Sequence, residues 1–312
     1  MKYLRIALGI FLVLSIFATH KIFNYWEIRL KKQIKGVESA NLNLPNYQIN
    51  PVPIKKNDAI APENFWQGVL IDQNSQKILF GKNEHKPVSV ASITKLATAL
   101  TALDNYQLDE IVEISTNASN INGSKIFMST GEKFTVENLL NALLIMSAND
   151  AAIALSEHKQ TQEKFIEMMN EKSRKIGMKN TRFLDPSGLN DEGYSTARDI
   201  GILFSEALKN DIITKIIGMA EKTIYNQSGT KSYKLESSNR LVKDEMRFEG
   251  IVGGKTGFTP NAGHSLVAAA TRDNHTLIAV ILSTYSNTKE ASAIAAADLL
   301  NWGFTNWQWE NI

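Results

Sequence analysis

Cysteine is absent from the 312 residues, and histidine occurs only five times. Without cysteine the chain can form no disulfide, no thiolate nucleophile and no cysteine-based zinc site. The histidines show no H-E-x-x-H spacing, so no metal site is predicted. A serine activated by histidine would need a G-x-S-x-G turn, which the sequence also lacks. Serine activated by lysine therefore remains as a route to nucleophilic catalysis.

The net charge is also small, since the chain has 34 basic and 32 acidic residues. A chain with a net charge of +2 lacks the field of a nucleic-acid-binding protein, and no nucleic-acid partner is predicted. The charge is uneven, because the first 60 residues hold nine Lys or Arg and three Asp or Glu. A basic N-terminal segment therefore precedes a mildly acidic globule, whose apolar content is sufficient for a large core.

Residues 1–26 have the pattern of a signal peptide or an uncleaved signal anchor. Lys2 and Arg5 precede an apolar run over residues 6–18, which is short for an ordinary membrane span. Ile16 and Ala18 do not form the small-x-small pattern of a cleavage site, and aromatic residues suited to headgroup depth follow. We expect an exported globule, attached to the membrane through the N-terminus or released by cleavage.

Residues 27–63 are predicted to form an extended stalk. The segment 27–36 is polar and basic, and four of the seven prolines lie between residues 45 and 62. This composition favours an extended chain over a packed one. The globular domain is then predicted to span residues 64–312.

Apolar periodicity from residue 64 onward predicts strands, then a long helical region, then strands and a closing helix. The predicted strands are 66–72, 77–81, 251–259, 263–272 and 276–284. The predicted helices are 90–103, 136–146, 150–157, 162–176, 195–209 and 290–301, the last ending at Gly303. We therefore expect an α+β fold in which an antiparallel sheet is packed by helices and carries a helical subdomain.

Ser92 and Lys95 fit the chemistry of a lysine-activated serine, because residues three apart on a helix share a face. The spacing alone is not specific, since Ser156/Lys159, Ser228/Lys231 and Ser286/Lys289 also match S-x-x-K. Apolar neighbours of Ser92 predict a buried helix, in which desolvation lowers the pKa of a lysine and lets it act as a base. An N-cap serine beside a lysine that reaches solvent is the alternative.

Two further motifs could complete such a site. Ser147 and Asn149 lie at the junction of two predicted apolar helices, where polar side chains can project into a cleft. The tripeptide Lys255-Thr256-Gly257 occurs once, within a predicted strand and behind two glycines. Strand glycines mark the close approach of another backbone or of a ligand. A lysine there can receive a carboxylate while the main chain pairs with an extended peptide, although a solvent-facing lysine is the alternative.

In this order the three motifs resemble the penicillin-recognising serine acyltransferases, and more closely the low-molecular-weight D-alanyl-D-alanine carboxypeptidases. The similar segments lie between about residues 64 and 304 and comprise 91–95, 147–152, 185–189, 194–199 and 254–259. The resemblance implies a β-lactamase/transpeptidase-like fold, with the active site between the sheet and the helical subdomain.

The resemblance also implies roles for individual residues. Ser92 would be the acylated nucleophile and Lys95 its base, and the backbone amides of Ser92 and Phe258 would form the oxyanion hole. Ser147, Asn149 and Lys255 would complete the proton and carboxylate network. Lys255, Thr256, Gly257 and Phe258 would line the substrate site. Many relatives carry an arginine between the last strand and the last helix, whereas residues 286–289 here read Ser-Asn-Thr-Lys.

The function implied by the resemblance is removal of the terminal D-alanine from peptidoglycan stem peptides through an acyl-enzyme, without a cofactor. β-Lactam antibiotics would be covalent inhibitors, and the enzyme would act in the periplasm or on the extracytoplasmic face of a bacterial membrane. A DD-endopeptidase, a β-lactamase and a non-catalytic cell-wall-binding protein are the alternatives. Residues 185–190 lack the E-x-x-x-N pattern of a class A β-lactamase.

Overall fold

The computed structural model describes residues 51–310 together with five helical, exposed residues nearer the N-terminus, namely Thr19, Lys21, Ile22, Asn24 and Tyr25. The rest of the predicted signal peptide or anchor, and the predicted stalk up to residue 50, lie outside the described residues. In the part that the structure describes, no helix has the length and apolar character needed to cross a bilayer.

Eleven strands occur in the described part of the chain. They are β1 (Pro53–Lys55), β2 (Phe65–Asp72), β3 (Ile78–Lys82), β4 (Ile111–Glu113), β5 (Lys133–Thr135), β6 (Glu221–Tyr225), β7 (Ser232–Glu236), β8 (Ile251–Gly257), β9 (Ser265–Arg272), β10 (His275–Thr284) and β11 (Trp307–Trp309). Five form one antiparallel sheet in the order β3-β2-β10-β9-β8. The continuous apolar runs of β2, β9 and β10 fit strands that are covered on both faces.

Helices cover both faces of this sheet. They are α1 (Lys95–Asn105), α2 (Thr116–Asn120), α3 (Val136–Ile145), α4 (Asn149–Glu157), α5 (Gln162–Lys175), α6 (Ala197–Ala207), α7 (Asp211–Ile217) and α8 (Ala291–Asn306). One core joins Val69 and Val280 to the side chains of α1 to α7, and the other joins Leu70 and Leu277 to α8. The predicted α+β architecture, with an antiparallel sheet and a helical subdomain, is confirmed.

The helix starts follow from local capping chemistry. Thr135 is the N-cap of α3, and its hydroxyl accepts a hydrogen bond from the amide of Asn138 at 3.1 Å. Thr161 and Thr196 cap α5 and α6 in the same way. A threonine in this position satisfies one of the free amides at the start of a helix. These caps explain why the predicted starts of α3 and α5 agree with the structure.

The predicted end of the last helix at Gly303 is wrong, because α8 continues to Asn306. A Cβ atom at position 303 would lie 2.5 Å from Leu70 Cδ2 and 2.7 Å from Leu277 Cδ1. Gly303 therefore allows α8 to approach the sheet closely and does not end the helix. A glycine near the end of an apolar pattern favours a C-cap in the sequence, and only the tertiary contact distinguishes the two roles.

The first strand lies inside the range 27–63, which the sequence predicted to be an extended stalk. Residues Pro53–Lys55 pair with the last strand, Trp307–Trp309, in antiparallel register. The amide of Lys56 also donates to Asn306 O at 2.8 Å, and Trp302 Nε1 donates to Ala59 O at 3.1 Å. Within the described residues, the packed part of the chain thus includes residues 53–59, which precede the boundary predicted at residue 64.

Candidate active site

Ser92 lies on a 3-10 turn, Ala91–Thr94, that leads into α1, and not within the α-helix predicted for residues 90–103. Ala91 has φ of +47°, a left-handed conformation that is strained for a residue with a Cβ. Gly188 packs against this turn, since a Cβ atom there would lie 1.9 Å from Ala91 O. The turn that carries the predicted nucleophile is therefore held by close backbone contact.

Lys95 places its amine next to the predicted nucleophile. Its Nζ atom donates to Ser92 Oγ at 2.8 Å and to Ser187 O at 2.6 Å, and the residue is fully buried. Burial lowers the pKa of Lys95 to about 7, although the negative charges of Asp185 and Asp150 act in the opposite direction. A lysine that is neutral near neutral pH can accept the proton of the serine hydroxyl.

The other three S-x-x-K matches have different partners. Ser156 donates to Ile153 O at 2.8 Å, and Lys159 pairs with the carboxylate of Glu110. Lys231 donates to Ser129 Oγ at 3.2 Å, outside its own motif, and Ser286 donates to Thr288 Oγ1 at 3.4 Å. In residues 51–310, Ser92 is the one serine of the four whose hydroxyl contacts the lysine three positions later. The tertiary structure thus distinguishes Ser92 from the other three serines, although all four match the same sequence spacing.

A loop ordered by Asp185 presents the second acceptor to Lys95. The Asp185 carboxylate accepts hydrogen bonds from the amides of Ser187 and Gly188 at 2.6 Å and from the amide of Asn190 at 2.8 Å. Burial alone would raise the pKa of Asp185, but a hydrogen bond from the Ser187 hydroxyl, together with those from the amides, outweighs it and holds the pKa below its usual value. The sequence assigned no role to this carboxylate, although Asp-Pro-Ser-Gly is typical of a turn.

Lys255 and Ser147 form a second serine–lysine pair. Lys255 Nζ donates to Ser147 Oγ at 2.9 Å and to Thr256 O at 2.9 Å, and the residue is 1% exposed. Burial, together with the nearby charge of Lys95, lowers the pKa of Lys255 well below its usual value. Ser147 has φ of +64° at the junction of α3 and α4, which turns its hydroxyl toward the lysine. Of the three N–H groups of the protonated amine, two are therefore directed to the protein itself.

Asn149, the third residue of the helix-junction motif, ties a neighbouring loop to the site. Its backbone amide donates to Ser124 O at 2.7 Å, and its side-chain Nδ2 donates to Asn122 O at 2.8 Å. The side-chain oxygen is buried and has no hydrogen-bond partner among the described residues. Buried polar atoms are nearly always paired in proteins. The oxygen of Asn149 is thus available to a ligand in the cleft.

Glycines bring β8 close to its neighbours. A Cβ atom at Gly257 would lie 2.6 Å from Val90 O, next to the turn that carries Ser92. A Cβ atom at Gly254 would lie 2.4 Å from Val267 O of the adjacent strand. The expected close backbone approach at the strand glycines is confirmed. It allows the end of β8 to form one wall of the site.

A cleft of about 540 Å³ joins these elements. Six of the predicted site residues line it, namely Ser92, Ser147, Asn149, Thr256, Gly257 and Phe258. The buried Lys95 and Lys255 contact two of them, Ser92 and Ser147. The sequence did not assign three further lining residues, Ser238, Arg240 and Lys289. Within the described ranges, no group of three or more histidine or acidic side chains is placed to hold a metal ion.

Comparison with known proteins identifies the family of the chain. The family model described as D-alanyl-D-alanine carboxypeptidase, peptidase family S11, matches residues 57–286. The chain belongs to this family. A family relative, the D-alanyl-D-alanine carboxypeptidase DacF of Bacillus subtilis, is 36% identical over 247 residues, which cover 77% of this chain and 62% of the relative. The D-alanyl-D-alanine endopeptidase of Pseudomonas aeruginosa is 31% identical over 220 residues, which cover 70% of each protein.

The S11 fold is also found among solved structures. The Streptomyces K15 DD-transpeptidase matches with a TM-score of 0.74 at 29% identity, over 79% of this chain and all of that one. A D-alanyl-D-alanine carboxypeptidase from Mycobacterium tuberculosis matches with the same TM-score at 26% identity, over 80% of this chain and 95% of that one. This S11 chain thus has the DD-peptidase fold, and it spans less than two thirds of the length of its Bacillus relative.

Proposed function

We propose that this chain is a serine-type D-alanyl-D-alanine carboxypeptidase that removes the terminal D-alanine from peptidoglycan stem peptides. The observation that carries the proposal is the 2.8 Å contact between Ser92 Oγ and the fully buried amine of Lys95. Family membership and the printed activities of the relatives support the choice of substrate. No cofactor is required, because the chain supplies the nucleophile and the base.

Acylation would begin when the neutral amine of Lys95 accepts the hydroxyl proton of Ser92. Ser92 Oγ then attacks the carbonyl carbon of the penultimate D-alanine, and the amides of Ser92 and Phe258 bind the resulting oxyanion. Each such donor typically lowers the activation free energy by about 3 kcal/mol. The C–N bond breaks as the leaving amine takes a proton through Ser147, whose hydroxyl lies 2.9 Å from Lys255 Nζ. The terminal D-alanine departs, and the shortened peptide remains as an ester on Ser92.

Deacylation would reverse these roles. A water molecule gives a proton to a neutral base of the site and attacks the ester carbonyl. The ester C–O bond breaks, the shortened peptide leaves with its new carboxylate, and Ser92 recovers its proton. Overall, one peptide bond and one water molecule are consumed for each D-alanine released.

Recognition of the free carboxylate is proposed for the outer wall of the cleft. Thr256 Oγ1 lies 2.6 Å from Ser238 Oγ, and this pair of hydroxyls lines the cleft beside Arg240 and Lys289. Arg240 already pairs with Glu290 at 2.8 Å. Lys255 lies behind this wall, where its Nζ donates to Ser147 Oγ and to Thr256 O. Thr256 is therefore the side chain assigned to contact the carboxylate.

Replacing Thr256 by valine tests this assignment and the activity class together. A hydrogen bond to a charged group contributes about 1.5 to 3 kcal/mol, so Thr256→Val should lower kcat/KM for a peptide ending in D-alanyl-D-alanine by about 10- to 150-fold. The loss should be much smaller for the C-terminally amidated peptide. Thr223→Val, at an exposed position of β6, is the matched control and should change neither rate.

The endopeptidase activity of the Pseudomonas relative is the second candidate function. An endopeptidase cleaves cross-bridges and does not need a free carboxylate after the scissile bond. The carboxypeptidase proposal is wrong, and the endopeptidase activity is supported, if two results are obtained. The wild-type enzyme would hydrolyse the free and the amidated peptides at the same rate, and Thr256→Val would slow both by the same factor.

The acylation rate should increase with pH through neutrality. Lys95 acts as a base only when neutral, and burial lowers the pKa of Lys95 to about 7. The rate should therefore be about a hundredfold lower at pH 5 than on its plateau, with half of the plateau reached near pH 7. Stopped-flow measurement of β-lactam acylation between about pH 5 and pH 8 gives the profile. A rate that is constant or falls over this range, with the circular dichroism spectrum unchanged, would contradict the role of Lys95.

We also propose that the catalytic unit lies on the extracytoplasmic face of a bacterial membrane, anchored through residues 1–26. The support is the apolar run behind Lys2 and Arg5 and the basic segment that follows it. The full-length chain should fractionate with membranes, and protease added from outside should digest its globule. Recovery of all the protein in the soluble periplasmic or culture fraction, with a new N-terminus near residue 20, would instead establish a cleaved signal peptide.

A further inference from the structure

Four aromatic side chains follow one another along one end of the five-stranded sheet. Phe258 comes directly after β8, His264 directly before β9, Tyr285 directly after β10, and Trp66 is the second residue of β2. These strands are neighbours in the order β8-β9-β10-β2. Since adjacent strands lie about 4.8 Å apart, this aromatic row extends about 15 Å from the cleft along the sheet end. Phe258 and His264, its first two members, line the cleft itself.

The rings of the aromatic row are held in place by one another, although three of the four are exposed. Phe258 stacks on His264 with centroids 4.3 Å apart, and Trp66 meets Tyr285 edge to face at 4.9 Å. The amide of Thr284 donates to His264 O at 3.0 Å, which joins the two ring pairs through the backbone. Phe258, Tyr285 and Trp66 nevertheless remain between 51% and 58% exposed.

Polar groups surround the outer pair of rings. Lys82 Nζ donates to the hydroxyl of Tyr285 at 3.1 Å and pairs with Glu63 at 2.8 Å. Asn83 Nδ2 donates to Trp66 O at 2.9 Å. Rings that are fixed before binding lose little conformational entropy when a ligand contacts them. The outer part of the row thus offers flat apolar faces edged by charged and amide groups.

We propose that the aromatic row binds the glycan strand of peptidoglycan, so that the enzyme acts better on the polymer than on a free peptide. The inference rests on the proposed function, because the stem peptide in the cleft is attached to that glycan. A sugar ring presents C–H groups on its faces and hydroxyls on its edge. This matches fixed aromatic faces edged by Lys82 and Asn83, and the row is continuous with the cleft.

The test compares two substrates of the same peptide chemistry. One is a soluble peptide ending in D-alanyl-D-alanine, and the other is uncross-linked polymeric peptidoglycan with the same stem peptide. Trp66→Ala combined with Tyr285→Ala should lower D-alanine release from the polymer by about tenfold, as for residues that dominate an interface, and leave release from the soluble peptide unchanged. Tyr225→Ala is the matched control, since Tyr225 is 54% exposed, as is Tyr285, but lies on β6.

A binding measurement separates this inference from the proposed function. In the Ser92→Ala background, sedimentation with glycan strands freed of their stem peptides should capture the protein, and the Trp66/Tyr285 double substitution should weaken capture by about tenfold. If the wild-type enzyme releases no D-alanine from either substrate, the proposed function is wrong and sedimentation still decides the inference. Equal capture with and without the two rings would overturn it, and so would an equal loss of activity on both substrates.

Discussion

Ser92→Ala should abolish covalent labelling by a fluorescent penicillin. In the proposed mechanism, Ser92 Oγ opens the β-lactam ring and forms an ester, and the lactam nitrogen takes the proton that Lys95 has accepted. Alanine removes the oxygen that forms this bond. Among the described S-x-x-K serines, Ser92 is the one whose hydroxyl contacts its lysine, at 2.8 Å. No other serine of these motifs is therefore placed to substitute for it.

The matched control is Ser228→Ala, which changes an exposed serine of another S-x-x-K match. It should label like the wild type in a gel assay of equal protein amounts. Ser92→Ala should keep the far-ultraviolet circular dichroism spectrum and thermal midpoint of a folded chain, since the change removes one half-buried hydroxyl. Undiminished labelling of folded Ser92→Ala protein would transfer the nucleophile to another residue and overturn the mechanism.

Lys95→Met should leave a folded protein that is acylated about 10²- to 10⁴-fold more slowly, the usual contribution of a general base. Methionine has nearly the length of lysine and fills the buried position without introducing a charge. The hydrogen bonds from Nζ to Ser92 Oγ and Ser187 O are lost together. Stopped-flow kinetics with excess β-lactam measures the acylation rate constant directly.

Lys172→Met is the control for this substitution, because Lys172 also lies on a helix, is largely covered, and pairs with Asp104 at 2.9 Å outside the cleft. It should acylate at the wild-type rate. The pH profile adds a second readout, since Lys95→Met should lose the rise through pH 7 that the wild type shows. Acylation within threefold of the wild-type rate by folded Lys95→Met protein would exclude this lysine as the base.

Sequence spacing could predict the Ser92 and Lys95 contact because it is local. Two residues three apart on a helical segment share a face whatever the rest of the chain does. The pairing of Ser147 with Lys255 has no such basis, since 108 positions separate the two residues. Only the resemblance to a known family suggested that they act together. The strands and most helices were predictable for the same reason as the first pair, namely the local period of their apolar residues.

The features that sequence reasoning missed are tertiary. Gly303 has the pattern of a helix end, but it is required because Leu70 and Leu277 leave no room for a Cβ atom. The strand Pro53–Lys55 depends on a partner at residues 307–309. The Asp185 carboxylate has a structural role only because its loop folds over α1 and brings Ser187 O to the amine of Lys95. A local sequence pattern does not show which segments, distant in the sequence, come into contact in the fold.

Peptide mapping of the acylated protein by mass spectrometry shows whether Ser92 forms the acyl-enzyme. The wild-type protein should be incubated with a β-lactam, quenched in acid, digested and sequenced by fragmentation. We expect one added β-lactam mass per chain, on the peptide that contains Ser92 and assigned to that side chain. An added mass on a peptide without Ser92, or no covalent adduct on folded protein, would contradict this expectation.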